Sequence, residues 1–203
     1  MGRKSLAPTR RAEILDAFEE CIVTHGLEAS SFQRIAATAG MDRAMIRHYF
    51  GTREALVDAV VERAVGRWTD LLSAAVENGS DPPLGDVVDV FFGPDLQGDR
   101  AEALWLEVTA FSARSEPTRK ALTRAYKGLF AGVKNALKCF FPDVPTEERT
   151  LAAFNIVALL ERSGTFAWVG MDRRSIPLAR TLIGRVVDGL ADLQEEAAAP
   201  ERS

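Results

Sequence analysis

The sequence predicts an all-α protein: an N-terminal three-helix, helix-turn-helix domain followed by a C-terminal helical bundle, about nine helices in all. Three observations carry this. Apolar residues recur at helical spacing along most of the 203 residues. No β-branched run alternates with period two. The run from Ile35 to Phe50 reads as two short helices joined at Gly40, ending in the basic-aromatic cluster Arg47-His48-Tyr49-Phe50.

The elements follow in order. Ala12, Ile14, Leu15, Ala17, Phe18, Cys21 and Ile22 make an amphipathic helix over 9–24, with Pro8 at its start and His25-Gly26 at its end. Ser30, three residues before Gln33, has the spacing of a capping box for a second helix that buries Phe32, Ile35 and Ala36 and stops near Gly40. Asp42 is the expected cap of a third helix running to His48, with Met41, Ala44 and Met45 inward. Thr52, with Glu54 in the first turn, caps a long fourth helix running to Val76. Asn78 to Pro83 is the clearest break. Beyond it, helices are expected over 84–92, 99–114, 117–140, 146–168 and 176–195, with frayed ends at Met1–Ala7 and Ala197–Ser203. The domains are then 1–52, the helix-turn-helix, and 53–203, the body, with 53–76 as the connecting helix.

The net charge of −4 argues against a nucleic-acid binder only if its distribution is ignored. Residues 1–11 carry Arg3, Lys4, Arg10 and Arg11 with no acid, and residues 30–53 carry Arg34, Arg43, Arg47 and Arg53 against Asp42 alone. The acidic excess lies beyond. Cys21 and Cys139 are far apart and in no CxxC pattern, so both read as small buried hydrophobes in a reducing, cytoplasmic setting. No apolar run approaches the ~18 residues of a membrane span, and no secretory leader pattern is present.

A helix that enters a DNA major groove is short and shows long polar side chains on one face. Arg43, Arg47 and His48 supply that face, and the Arg fork matches guanine O6 and N7 or a phosphate. Tyr49 offers a hydroxyl to phosphate, while Phe50 anchors the helix end. Thr52 and Arg53 open one helix and Ser30 and Ser31 another, where free N–H groups suit phosphate. Ala44 completes the expected DNA-facing set.

The run from Ile14 to Leu56 resembles the TetR family of transcriptional repressors. The resemblance rests on Ala17-Phe18, Gly26, Ile35-Ala36, Ala39-Gly40, Ile46, Tyr49-Phe50 and Arg53-Glu54-Ala55-Leu56. Ala44 stands where glycine is usual and Arg47 where tyrosine is common. The resemblance implies double-stranded operator DNA as one partner, a second copy of the chain as another, and an unidentified small-molecule effector in the body. Residues 104–112 and 158–168 are loosely similar to the choline-responsive branch of the family. Arg162 follows Glu161 where that branch has glycine, so choline is not carried over as the ligand.

The body supports these expectations on its own terms. Leu151, Phe154 and Ala158 on one helix, and Leu178, Leu182, Val186 and Leu190 on the last, are candidates for a subunit interface. Trp105, Phe111, Tyr126, Phe130, Asn155 and Glu161 are candidates for an aromatic effector pocket with one acid. No cofactor or metal is expected. Rival readings are a DNA-binding dimer without an effector and a helical-bundle enzyme. The enzyme has little support: GxSxG, P-loop, HExxH and Glu-x-x-His patterns are all missing.

Overall fold

The computed structural model describes residues 7–77, 92, 99–172 and 174–199. Among these there are eight helices and no strand: α1 (Ala7–His25), α2 (Phe32–Ala39), α3 (Arg43–Phe50), α4 (Arg53–Glu77), α5 (Asp99–Ser112), α6 (Glu116–Phe140), α7 (Thr146–Trp168) and α8 (Ser175–Ala198). Residues 84–91 of the expected 84–92 helix and the Asn78–Pro83 break lie outside the described residues. The last helix runs on to Ala198, past the expected end at 195.

The chain divides into two compact units. The first comprises Met1–Ala64 and Ala103–Ala125, so the unit containing the helix-turn-helix extends beyond residue 52. Its core is built from one face of each helix. Ile14, Phe18, Cys21 and Ile22 of α1 are buried, with Ile35 and Ala36 of α2, and Ile46 and Phe50 of α3. Leu56, Val57, Val60 and Val61 add the inward face of α4, and Leu104, Val108, Ala121 and Leu122 the later segment. These spacings of three and four are the helical period.

Local stops follow from the backbone. Gly40 is left-handed at φ 63°, and the Met41 N–H reaches the Ala36 carbonyl at 2.9 Å. This is a Schellman turn, which a residue with a Cβ adopts only under strain. A Cβ at Gly40 would meet nothing within 4 Å. Gly40→Ala is therefore expected to cost about 1 kcal/mol through backbone strain alone, read as a lower denaturant midpoint with unchanged helix content.

Two caps differ from expectation. Ser31, not Ser30, caps α2: its hydroxyl accepts the Arg34 N–H at 3.3 Å. Asp42 occupies the cap position of α3 but makes no side-chain cap bond; its carbonyl takes the Met45 N–H at 2.9 Å instead. The α4 cap is as expected, with the Thr52 hydroxyl accepting the Ala55 N–H at 3.1 Å.

The second unit comprises Val65–Glu102 and Tyr126–Ser203. Its core packs Leu129, Val133, Ala136 and Leu137 of α6 with Ala152, Ala153, Ile156 and Leu160 of α7 and Ile183, Val187 and Leu190 of α8. Arg149, in the first turns of α7, is buried against main-chain carbonyls. Its Nη1 donates to the carbonyls of Phe141 at 2.8 Å, Pro142 at 3.0 Å and Val144, and its Nη2 to the Thr146 hydroxyl at 3.1 Å. One guanidinium thus serves carbonyls of the segment joining α6 to α7, which lie outside either helix. Cys21 is buried as expected, but Cys139 is exposed because it falls on the outer face of α6.

Candidate nucleic-acid interface

The outer face of α3 is a single stripe. Arg43, Ala44, Arg47 and His48 are exposed, while Ile46 and Phe50 are buried and Met45 and Tyr49 half-buried. Positions 43 and 47, and 44 and 48, are one turn apart, so their side chains stand above one another. Ala44 belongs to this outer stripe rather than to the inward set, as its neighbours Met45 and Ile46 supply the packing. Arg43 opens the helix, where a positive charge opposes the dipole and costs a few tenths of a kcal/mol. Such a local misfit is the mark of a position selected for something other than stability. Arg47 and His48 lie in the last turn, where positive charge is favoured. His48 meets the Tyr49 ring edge-on at 5.3 Å, which holds both rings at the end of the stripe.

Two helix N-termini flank the stripe. Ser31 at α2 and Thr52 at α4 are exposed, and each hydroxyl already accepts one backbone N–H of its first turn. The remaining N–H groups at each start are suited to a phosphate oxygen.

Two candidate contacts are corrected. Ser30 is 0% exposed, and its hydroxyl donates to the Gly26 carbonyl at 2.8 Å. It closes the α1–α2 turn and has no surface for phosphate. Arg53 also turns inward. Its Nη2 donates to the Leu27 carbonyl and, at 3.3 Å, to the Glu28 carbonyl, and its guanidinium lies 5.4 Å from the Phe111 ring centroid. The turn after Gly26 presents carbonyls that no helix serves, and Arg53 satisfies them. Glu107 completes the turn by accepting the Leu27 N–H at 3.1 Å. Neither role is legible from sequence spacing, because the partners lie 26 and 80 residues away. Arg11 was likewise visible only as charge; its Nη1 donates to the Tyr49 carbonyl at 2.6 Å.

The candidate pocket residues separate. Trp105 and Phe111 belong to the first unit, and Tyr126, Phe130, Asn155 and Glu161 to the second. Phe111 is committed to two guanidinium groups, with Arg114 5.1 Å and Arg53 5.4 Å from its centroid. Asn155 is exposed, on the same face of α7 as Leu151, Phe154 and Ala158, and is corrected from the pocket to that face. In the second unit the Tyr126 hydroxyl donates to Glu161 Oε2 at 2.7 Å, and the Thr165 hydroxyl donates to Glu102 Oε1 at 2.8 Å. Burial raises the Glu102 carboxyl above its ordinary value; the Thr165 hydroxyl opposes the rise, the Glu161 charge adds to it and Arg162 opposes it. Phe130 is half-buried against the core of this unit, with Lys134 5.8 Å from its ring.

Of the candidate interface residues, Leu151, Phe154, Leu178 and Leu182 are exposed large hydrophobics and Ala158 is exposed. Leu190 is corrected: it is 3% exposed, inside the unit's own core, and Val186 is half-buried against that core. The last helix is apolar on two faces, and Ile183, Val187 and Leu190 form the inner one.

No described helix is long and apolar enough to cross a membrane. Residues 14–60 match the family described as bacterial regulatory proteins, tetR family. The HTH-type transcriptional regulator BetI of Rhizobium meliloti (strain 1021) is 28% identical over 144 residues, covering 70% of this chain and 71% of that protein. A solved protein from Pseudomonas aeruginosa PAO1, described as a transcriptional regulator, aligns with a TM-score of 0.78 at 21% identity, over 95% of this chain and 96% of its own. A second, from Saccharomonospora viridis and solved in complex with choline, gives a TM-score of 0.70 at 18% identity, over 89% and 96%. The helix-turn-helix with its exposed basic stripe and the matched run from residue 14 to residue 60 agree: the N-terminal part of the chain is a DNA-binding domain of the kind found in the tetR family of bacterial regulatory proteins, and the described helices share the fold of the solved regulators.

Proposed function

We propose that the chain is a homodimeric repressor that acts in the cytoplasm and is released from an inverted-repeat operator by a small-molecule effector. The observation that carries the DNA reading is the exposed stripe Arg43, Ala44, Arg47 and His48 on a short helix whose other face is core. Ser31, Tyr49 and Thr52 join it as phosphate contacts. Two such helices, one from each subunit, read half-sites about 10 base pairs apart or a multiple of that. Dimerisation is supported by the exposed Leu151, Phe154, Leu178 and Leu182, which are unusually apolar for a solvated face.

The effector reading is supported by the half-buried Tyr126–Glu161 and Thr165–Glu102 pairs. Carboxylates beside aromatic rings favour a cationic or hydrogen-bonding molecule. Release requires that the effector bind one subunit geometry more tightly than the other. Because α4 contributes residues to both units, it is the element assigned to couple them.

Selection of bound duplexes from random DNA at about 150 mM salt tests the first part, with an inverted repeat expected. That duplex then serves as the probe for the rest. Arg47→Ala should lose about 1–3 kcal/mol of operator affinity without altering helix content; unchanged affinity would remove Arg47 from the reading face. Choline, the ligand of the Saccharomonospora viridis neighbour, is the first compound to titrate against the complex. A panel of amines and neutral analogues that never shifts operator affinity would favour a DNA-binding dimer with no effector.

A further inference from the structure

An eight-residue helix has little to hold its tilt, yet its tilt decides which bases its stripe meets. The start of α3 is set by the Gly40 turn and by buried Ile46. Its end leaves carbonyls with no intrahelical partner. The Arg47 carbonyl takes the Gly51 N–H at 2.8 Å, and the Phe50 carbonyl takes the Thr52 N–H at 2.7 Å. The Tyr49 carbonyl takes Nη1 of Arg11, which lies 38 residues earlier on α1. The same guanidinium sits 4.2 Å from the centroid of the Phe50 ring, and Phe50 is itself fixed in the core at 6% exposure. These two contacts need a planar fork, with an N–H edge for the carbonyl and a flat face for the ring. They also place a positive charge at the negative end of the α3 dipole. A lysine would supply the charge but neither the edge nor the face.

We propose that Arg11 is a positioning residue for the recognition helix: it fastens the last turn of α3 to α1, and so sets how sharply the protein distinguishes its operator from other DNA. The inference rests on α3 being the groove-reading element. The competing role for an exposed arginine at this place is a phosphate contact, and it makes a different prediction. A phosphate contact strengthens all DNA alike, whereas a positioning residue acts on the difference between sequences.

The test uses the duplex enriched by the wild-type protein and a scrambled duplex of the same composition. Arg11→Lys and Arg11→Met are each expected to lower operator affinity by about tenfold, the order of a charge-assisted hydrogen bond together with a cation–π contact. Scrambled-duplex affinity should change by less than about twofold for Arg11→Lys, so that selectivity falls. Helix content and unfolding temperature should stay near wild type, because the side chain is exposed. Wild-type affinity in Arg11→Lys, with Arg11→Met weakening both duplexes alike and flattening the log–log salt dependence by about one unit, would identify a phosphate contact and overturn the proposal. Unchanged selectivity in both variants overturns it as well. If the wild type enriches no duplex at all, the groove-reading assignment itself fails and takes this inference with it.

Discussion

Replacing Arg149 with leucine is expected to lower stability by about 3–5 kcal/mol, the largest loss from any single substitution discussed for this chain. The side chain is only 7% exposed and donates to three main-chain carbonyls and the Thr146 hydroxyl. Leucine fills much of the same volume, so the loss is not one of packing. It comes from the carbonyls of Phe141, Pro142 and Val144, which stay buried or partly buried with no donor to replace the guanidinium. Arg149→Lys separates charge from geometry. An ammonium carries the charge but cannot span the same carbonyls with a planar fork, and should recover less than half of the loss. At about 2–4 °C per kcal/mol for a chain of this size, Arg149→Leu should unfold about 6–20 °C below wild type. A shift of under about 3 °C would mean that water serves these carbonyls as well as arginine does.

The sequence revealed most where a signal and its partner lie within one turn of each other. Gly40, Thr52 and the buried Ile35, Ala36, Ile46 and Phe50 were readable because caps and helical periods are local. The misplaced cap shows the limit of that rule. Ser30 and Ser31 are both good cap residues, and the spacing to Gln33 favours the first. The choice is made by the Gly26 carbonyl, which takes the Ser30 hydroxyl and leaves Ser31 to accept the Arg34 N–H. Contacts across long stretches were not readable. Arg53 carries the same charge whether it faces phosphate or the Leu27 carbonyl, and only the fold decides. The pocket candidates fared in the same way: residue type marked Phe111 as an aromatic of the pocket, but two arginines lie against its ring.

The two apolar faces of the last helix were legible as a pair but not assignable one by one. In α7 the small residues Ala152 and Ala153 pack inward with Ile156 and Leu160, while Phe154 remains 66% exposed. A fold that needed Phe154 for its own core would have placed it on the opposite face. In α8, Leu178 and Leu182 stand out at 52% and 43% exposure while Ile183 and Val187 are buried. Large apolar side chains left exposed beside a core that is already filled form the kind of patch that marks an interaction site.

This arrangement leads to the expectation with the largest effect on function. The double substitution Phe154→Asp and Leu178→Asp should convert the proposed dimer to monomer and reduce operator affinity by a factor of about 100 or more. Each carboxylate would have to be desolvated against apolar surface in the dimer, at several kcal/mol per group, but stays in water in the monomer. The fold of the single chain should survive, because neither side chain contributes to the core cluster of its unit. The loss on DNA follows from linkage rather than from any lost contact. Two half-sites bound by one dimer are reached at the high effective concentration that the linkage sets, whereas two monomers must each bind alone. Sedimentation measures the mass, and titration with the inverted repeat measures the affinity. The decisive comparison is with a duplex bearing a single half-site: the wild type should prefer the full repeat strongly, and the double variant should bind the two duplexes within about twofold of each other. A variant that stays dimeric would move the subunit interface away from this face of α7 and α8. One that turns monomeric yet keeps its operator affinity would mean that each subunit reads DNA independently.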